Sequence, residues 1–417
     1  MASRIVIAGA GPAGITVAES LRVHDRDVEI AMLSSEPYPP YAPPAMADHF
    51  LTGREDTLFW KGRDVCERLN VDYHANACVR SLAPQVRELS LADGSALHYG
   101  RLVIATGGGL YAPIAGHDLQ GVYNFKSLSA AEQLVGGVRA GRIRKAAIVG
   151  AGFIGVELAL LLQDLGVAVT MVEMKDRLMW RMLEPETADI VLDNVLARGV
   201  EVRLNTRAEA FLGDREVTGV KLDSSEELHA DAYIAATGVK PNIEWLEGSG
   251  VETSWGVIVD DLQRTNIPDI YAAGDVAETR DRMTGERFVH AIFPNAVAQA
   301  QVVANALLGF EVPYEGAESM NSLKHLGVEV MAVGSQSGQE ELRSRQNGML
   351  RKVFLSDGHI VGFRLVGDVR GAGVLRSLML RGVDVRPFRD RLLDLRPGAA
   401  WFASAVPLHA TSLMHGS

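Results

Sequence analysis

Cysteine is scarce in this chain of 417 residues. Cys66 and Cys78 are the only two, too few for a disulfide framework. Long apolar runs are missing too. The longest is broken by Gln163, Asp164 and Gly166, so no membrane-spanning helix is expected. A strand is expected at Arg4 to Ala8, which leaves no room for a signal peptide. Positive charge is in deficit: 41 Lys and Arg stand against 52 Asp and Glu, a net charge of −11. That balance argues against a general nucleic-acid binder. Together these deficits point to a cytoplasmic protein with no membrane or nucleic-acid partner, and no metal is expected. The hydrophobic fraction of 47% is that of a globular protein with a full core, and the length suggests two or three domains.

The most informative stretch runs from Ala146 to Glu173. Ala146 to Val149 reads as a buried parallel strand. It breaks at Gly150-Ala151-Gly152-Phe153-Ile154-Gly155, and a helical pattern follows through Val156, Leu158, Ala159 and Leu162. A second apolar strand, Val167 to Val172, ends on Glu173. This is a G-x-G-x-x-G fingerprint inside a complete strand–helix–strand unit. The first glycine allows the tight turn, the second lets backbone approach a pyrophosphate, and the third lets helix and strand pack closely. The helix start offers N–H groups and the positive end of a dipole to the phosphates. Glu173 stands where a carboxylate accepts hydrogen bonds from an adenine-ribose diol. It would repel a 2′-phosphate, so NADH is expected over NADPH.

The chain begins with the same unit. Arg4 to Ala8 reads as a strand, followed by Gly9-Ala10-Gly11-Pro12-Ala13-Gly14, a helix and a strand from Val28 to Leu33. Two fingerprints in one chain suggest a bound flavin exchanging electrons with a nicotinamide. The ribose acid of this first unit is displaced. By register it falls at Ser34 or Ser35, and the first carboxylate is Glu36. Either Glu36 shifts in or a serine hydroxyl serves.

Further pieces repeat. The strand Arg101 to Ile104 runs into Ala105-Thr106-Gly107, and Ala232 to Gly238 repeats that A-T-G ending. Asn266 to Asp275 reads N-I-P-D-I-Y-A-A-G-D, where Gly274 and Asp275 end a strand and the acid can hydrogen-bond a polyol. Pro294, Asn295 and Ala296 open a helix that Gly309 closes. Beyond Tyr314 strands are expected at Leu323 to Val333, Met349 to Leu355 and His359 to Leu365, with a helix from Val374 to Leu380. Trp401 and Phe402 in the tail read as packing residues. Between Glu341 and Arg396 there are 12 Lys and Arg against 6 Asp and Glu. The bland reading is surface variation; the sharper one is a docking face for an acidic partner through Arg343, Arg345, Arg351, Lys352, Arg364 and Arg370.

In this order, the fingerprints, the two A-T-G segments and N-I-P-D-I-Y-A-A-G-D resemble the FAD-dependent pyridine nucleotide–disulfide oxidoreductase superfamily. The resemblance implies an α/β chain with two Rossmann-like domains and a C-terminal α+β interface domain, often in a homodimer. The FAD domain would comprise 1–117 and 242–313, the NAD(H) domain 118–241, and the interface domain 314–417. FAD would be held by Gly9, Gly11, Gly14, Thr106 and Asp275, and NAD(H) by Gly150, Gly152, Gly155 and Glu173. The rest of both loops, Tyr41, Gly107, Gly238, Gly274, Pro294 and Ala296 are expected to line the cofactors. Lys126 matches a position where many relatives place an arginine near the flavin. Glu157 matches a glutamate near the nicotinamide in the rubredoxin- and ferredoxin-reductase branch, and is the catalytic candidate.

Departures set the branch. Disulfide reductases carry C-x4-C against the flavin, and this chain has no such pair. Aligned on Pro40-Tyr41, Pro44 takes the place of the single cysteine of peroxide- or coenzyme A-disulfide-active relatives. The lysine usual in ferredoxin reductases has Asp48 as its nearest match. The leading expectation is an NADH-dependent reductase passing electrons through FAD to a rubredoxin- or ferredoxin-like carrier. The alternatives are an NADH oxidase or small-molecule reductase, marked by fast oxygen-driven turnover, and a redox-sensing flavoprotein or complex subunit, marked by very slow turnover with every small carrier.

Overall fold

The computed structural model describes residues 4–323 and 327–394. The tail with Trp401 and Phe402 lies outside them. The chain forms two compact units, 1–176 with 195–318, and 177–194 with 319–417.

The first unit holds two five-stranded parallel sheets of matching design. In one the order is Ile270–Ala272, Arg101–Ile104, Ile5–Ala8, Ile30–Leu33, Asp72–His74. In the other it is Glu201–Arg203, Ala168–Val172, Lys145–Val149, Ala232–Ala235, Val122–Tyr123. The central strands are buried on both faces, which is why they read as continuous apolar runs. From Ile5–Ala8 in the first sheet and, after the edge strand Val122–Tyr123, from Lys145–Val149 in the second, the chain adds neighbours on one side and then crosses to the other. Ile5–Ala8 and Lys145–Val149 stand at those reversals, where open α/β sheets bind ligands beyond the strand ends. Each half also inserts a three-stranded meander before the strand that ends in A-T-G.

The halves are joined by two passages of chain that pair with each other. Gly108–Leu110 runs antiparallel to Val239–Pro241. Beside them Asn242 Nδ2 donates to Thr106 O at 2.8 Å, and Thr106 Oγ1 donates to Asn242 O at 3.0 Å.

The second unit is an antiparallel sheet in the order Met320–Leu323, Val330–Gly334, His359–Val366, Met349–Ser356, Glu340–Gln346. The Ala372–Leu380 helix packs on it. Two expectations need correction here. The stretch read as one strand from Leu323 to Val333 is two antiparallel strands, with 324–326 outside the described residues. Three of the six basic residues read as a docking face are not at the surface, while Arg343, Arg345 and Arg370 are exposed. Arg351 is 3% exposed, Lys352 4% and Arg364 0%.

Two of their partners, Glu184 and Glu186, come from 177–194, an excursion between two strands of the second parallel sheet. Lys352 Nζ meets Glu186 at 2.8 Å and Glu184 and Glu341 each at 3.2 Å. Arg364 lies near Glu184 and donates to Val333 O at 2.9 Å. Arg343 and Arg345 pair with Glu186, and Arg370 with Asp368. The buried part of the basic excess, Arg351, Lys352 and Arg364, is internal wiring.

Candidate functional site

Both glycine loops are shaped by their packing. At Gly9, φ is +121° and an added Cβ would fall 2.0 Å from Ala105 O. At Gly14 it would fall 2.0 Å from Gly9 O. The second loop matches: a Cβ at Gly150 would lie 2.5 Å from Ala236 O, and one at Gly155 2.1 Å from Gly150 O. The outer glycines are therefore demanded by the fold itself. The middle ones are not. A Cβ on Gly11 or Gly152 meets nothing within 4 Å. Each middle glycine thus borders open space at the start of a helix, Pro12–His24 or Phe153–Asp164. Neither helix start is capped by a side chain, so N–H groups are free to face an anion. These cradles fit a dinucleotide pyrophosphate, one in each half.

A third uncapped start joins the first cradle. Gly274 packs between Ala13 and Ala296, with a Cβ there at 3.1 and 3.7 Å from theirs. Ala296 is in the first turn of the Phe293–Leu307 helix, which also contains Pro294. Gly274 N donates to the buried Gln299 Oε1 at 2.7 Å. Gln299 was not expected from the sequence; a lone glutamine on an apolar helix face is the signal for it. The next residue, Asp275, accepts from Lys126 Nζ at 2.8 Å. Gly274, Asp275, Ala13, Ala296 and Lys126 therefore gather at one end of the first parallel sheet.

The two ribose candidates are held differently. Glu173 is 6% exposed. Its Oε2 accepts from Ala151 N, in the glycine loop, at 2.8 Å, and its Oε1 accepts from Lys175 N at 2.9 Å. A carboxylate has about four acceptor positions, so roughly two remain for the two hydroxyls of a diol. Glu36 accepts from Tyr41 Oη at 2.6 Å and from Ser129 N and Oγ at 2.9 and 2.8 Å. Burial and the Glu36 charge push the Tyr41 phenol far up, so it stays a donor. Ser34 Oγ accepts from Glu36 N at 3.2 Å, and Ser35 is exposed. Ser129 is a second residue the sequence did not reveal.

Thr106 uses its hydroxyl on Asn242, as described above. Gly107 has positive φ with open space beside it, and Gly238 packs near Tyr111. Glu157 is half-buried on the Phe153–Asp164 helix, against which the short Met46–Thr52 helix, carrying Asp48, packs. Asp48 lies in the first turn of that short helix.

The thiols stand apart from this chemistry. Cys66 packs in the apolar core beside Val65 and Val71, and burial pushes its thiol up to about 11. It is protonated at neutral pH and a poor nucleophile. Cys78 is exposed. Replacing Cys66 with Ala and Cys78 with Ser should leave the rate of flavin reduction by NADH unchanged in stopped-flow absorbance. Loss of reduction with a normal flavin spectrum would restore a thiol to the mechanism. Among the described residues no group of three or more His, Cys, Asp or Glu could hold a metal ion, and no helix is long and apolar enough to cross a membrane.

Comparison with known proteins agrees with these cradles. The family described as pyridine nucleotide-disulphide oxidoreductase matches residues 3–300. The rubredoxin-NAD(+) reductase of Pseudomonas putida is 32% identical over 315 residues, covering 74% of this chain and 81% of that protein. The epsilon subunit of NADH-dependent phenylglyoxylate dehydrogenase from Aromatoleum evansii is 28% identical over 94% of both chains. The ferredoxin reductase of the CYP199A2 system from Rhodopseudomonas palustris superposes with a TM-score of 0.85 at 27% identity, over 97% of this chain and 100% of its own. FAD and NAD(H) are the cofactors of this kind of reductase, and two cradles of one design are what two dinucleotides require. The chain belongs to the pyridine nucleotide-disulphide oxidoreductase family.

Proposed function

We propose that this chain is an NADH-dependent flavoprotein reductase that hands electrons to a small iron-protein carrier of the rubredoxin or ferredoxin kind. The observation that carries the reading is a doubled dinucleotide cradle in a chain whose buried thiol is inert. Bound FAD supplies the conversion of a two-electron donor into the single electrons such a carrier accepts.

The residues act by holding and orienting. The Gly9 to Gly14 loop and Thr106 take one nucleotide, and Asp275 takes a polyol hydroxyl. The uncapped start of the Phe293–Leu307 helix would favour negative charge on a flavin held near it. The Gly150 to Gly155 loop and Glu173 fix the adenosine end of NADH, and Glu157 is assigned to its nicotinamide end. No side chain has to act as acid, base or nucleophile. Alignment of the two rings is the main contribution of the protein.

The test is steady-state NADH oxidation against purified rubredoxins, ferredoxins, oxygen and disulfides. At least one iron carrier should raise turnover well above the oxygen rate. Equal rates with oxygen alone would move the protein to the oxidase class. The end-to-end match to the phenylglyoxylate dehydrogenase subunit favours a second reading, the same chemistry performed inside a larger complex. Co-purification of the chain at native abundance separates the two. A homodimer in the cytoplasm is the proposed state of the free enzyme.

A further inference from the structure

Both carboxylates assigned to FAD are held by one short segment of the nicotinamide half. That segment, 126–129, leads into the Leu128–Arg139 helix. Lys126 Nζ donates to Asp275 Oδ2 at 2.8 Å. Ser129 donates from both N and Oγ to Glu36 Oε1. Tyr41 Oη donates to Glu36 Oε2 and accepts from Leu128 N at 3.0 Å.

The N–H groups of Leu128 and Ser129 belong to the first turn, where a helix has no internal acceptor for them. Ser127 Oγ accepts from Ala130 N at 3.3 Å. Residues of the flavin half satisfy the other two. Further along the same helix, Tyr38 Oη donates to Glu132 at 2.5 Å and Arg139 Nη2 donates to Phe50 O at 3.0 Å. The helix is therefore docked on the flavin half along its length, and its start is docked through the expected FAD ligands.

Of about four acceptor positions on Glu36, three are taken by Ser129 and Tyr41, which leaves one for a ribose hydroxyl. Asp275 keeps most of its capacity beside Lys126. Cap and cofactor contact are thus compatible, and each fixes the carboxylate in the orientation the other needs. We propose that FAD occupancy and docking of the Leu128–Arg139 helix are coupled through Glu36 and Asp275, with Ser129, Tyr41 and Lys126 as positioning residues. This rests on the FAD reading and goes beyond it: bound FAD strengthens the docking of the nicotinamide half, and an empty chain holds that half less firmly. Coupling of this kind is reciprocal, so the helix raises FAD affinity by the factor that FAD raises docking.

The test uses the full chain stripped of FAD. FAD is titrated back by the quenching of its fluorescence while amide exchange is followed along the helix. FAD should slow exchange at Leu128–Arg139. Ser129→Ala should raise the FAD dissociation constant about three- to tenfold, the effect of one ordinary hydrogen bond, and should shrink that protection. Ser129→Thr, which keeps the hydroxyl, should restore both. Because Ser129 acts through Glu36, adding Ser129→Ala to Glu36→Gln should cost little more than Glu36→Gln alone. Additive losses, or FAD binding with no change in helix exchange, would overturn the coupling. Should Ser129→Ala not fold, Lys126→Met combined with Asp275→Asn repeats the cycle at the other carboxylate. Failure of the unaltered chain to take up FAD would instead overturn the cofactor reading itself.

Discussion

With the two coenzymes compared side by side, kcat/KM is expected to favour NADH over NADPH by about 100-fold or more, a difference of roughly 3 kcal/mol. The reason is the state of Glu173. It is buried, and its two backbone bonds to Ala151 N and Lys175 N fix its orientation. A ribose diol brings two donors to the acceptor positions that remain. A 2′-phosphate brings no donor and a second negative charge to a site that water barely reaches, where like charges are poorly screened. Replacing Glu173 with Ala frees both N–H groups as phosphate donors. Met174 is 51% exposed beside it, so Met174→Arg can place a guanidinium in reach of the phosphate. The double variant should bring the preference to unity or invert it. A higher efficiency with NADPH in the unaltered chain would show that this carboxylate does not face the ribose.

The second large effect concerns stability. Lys352→Met is expected to destabilise the 177–194 and 319–417 unit by about 3–5 kcal/mol, because it removes the cation from among three carboxylates in a buried place. Arg343→Ala, at a half-exposed pair with the same Glu186, should have a far smaller effect, because solvent screens it. Urea unfolding followed by proteolysis within 327–394 measures both. Equal small effects would mean that water reaches the cluster. The pH dependence has a fixed sign. Hydrogen bonds from Arg343 and Lys352 hold the Glu186 carboxyl at about 2. Its contribution is fully present above its ordinary value near 4.5 and drains away as pH falls toward 2. Lys352 is shifted upward, so its contribution holds below its ordinary 10.5 and is lost only as pH rises through the higher folded value. A charge reversal at Lys352 would thus report on unfolding and not on the docking of a carrier.

The parts that were legible in the sequence are those whose cause is local. A glycine loop, the strand before it and the helix after it are dictated by neighbours within about thirty residues. Hence the strand expected to end at Gly274-Asp275 is observed at Ile270–Ala272, and the helix expected from Pro294 starts one residue earlier, at Phe293. What stayed hidden depends on distant partners. Arg351 and Lys352 are adjacent in a strand, so their side chains point to opposite faces, and both are buried. Only a sheet covered on both sides does that. Two of the three acids that neutralise Lys352, Glu184 and Glu186, stand more than 150 positions earlier, and no spacing announces them. Ser129 was missed for the same reason, since its partner Glu36 is 93 residues away. The Glu340–Gln346 strand is an edge of alternating polar and charged residues, a pattern that turns share, and it went unread.

The excursion 177–194 also sets an order of events during synthesis. Glu184 and Glu186 leave the ribosome long before Lys352 and Arg364 exist. At about 5–20 residues per second, the chain needs on the order of ten to thirty seconds to supply those cations. For that interval the second parallel sheet has its strands on both sides of the gap, while the acidic loop between them has nothing to close on. The two nucleotide sites can be complete while this loop remains an open account, settled only by the last quarter of the chain. A nascent chain stalled before residue 350 would therefore bind dinucleotides and be cut by proteases at one place, between Asp176 and Val195.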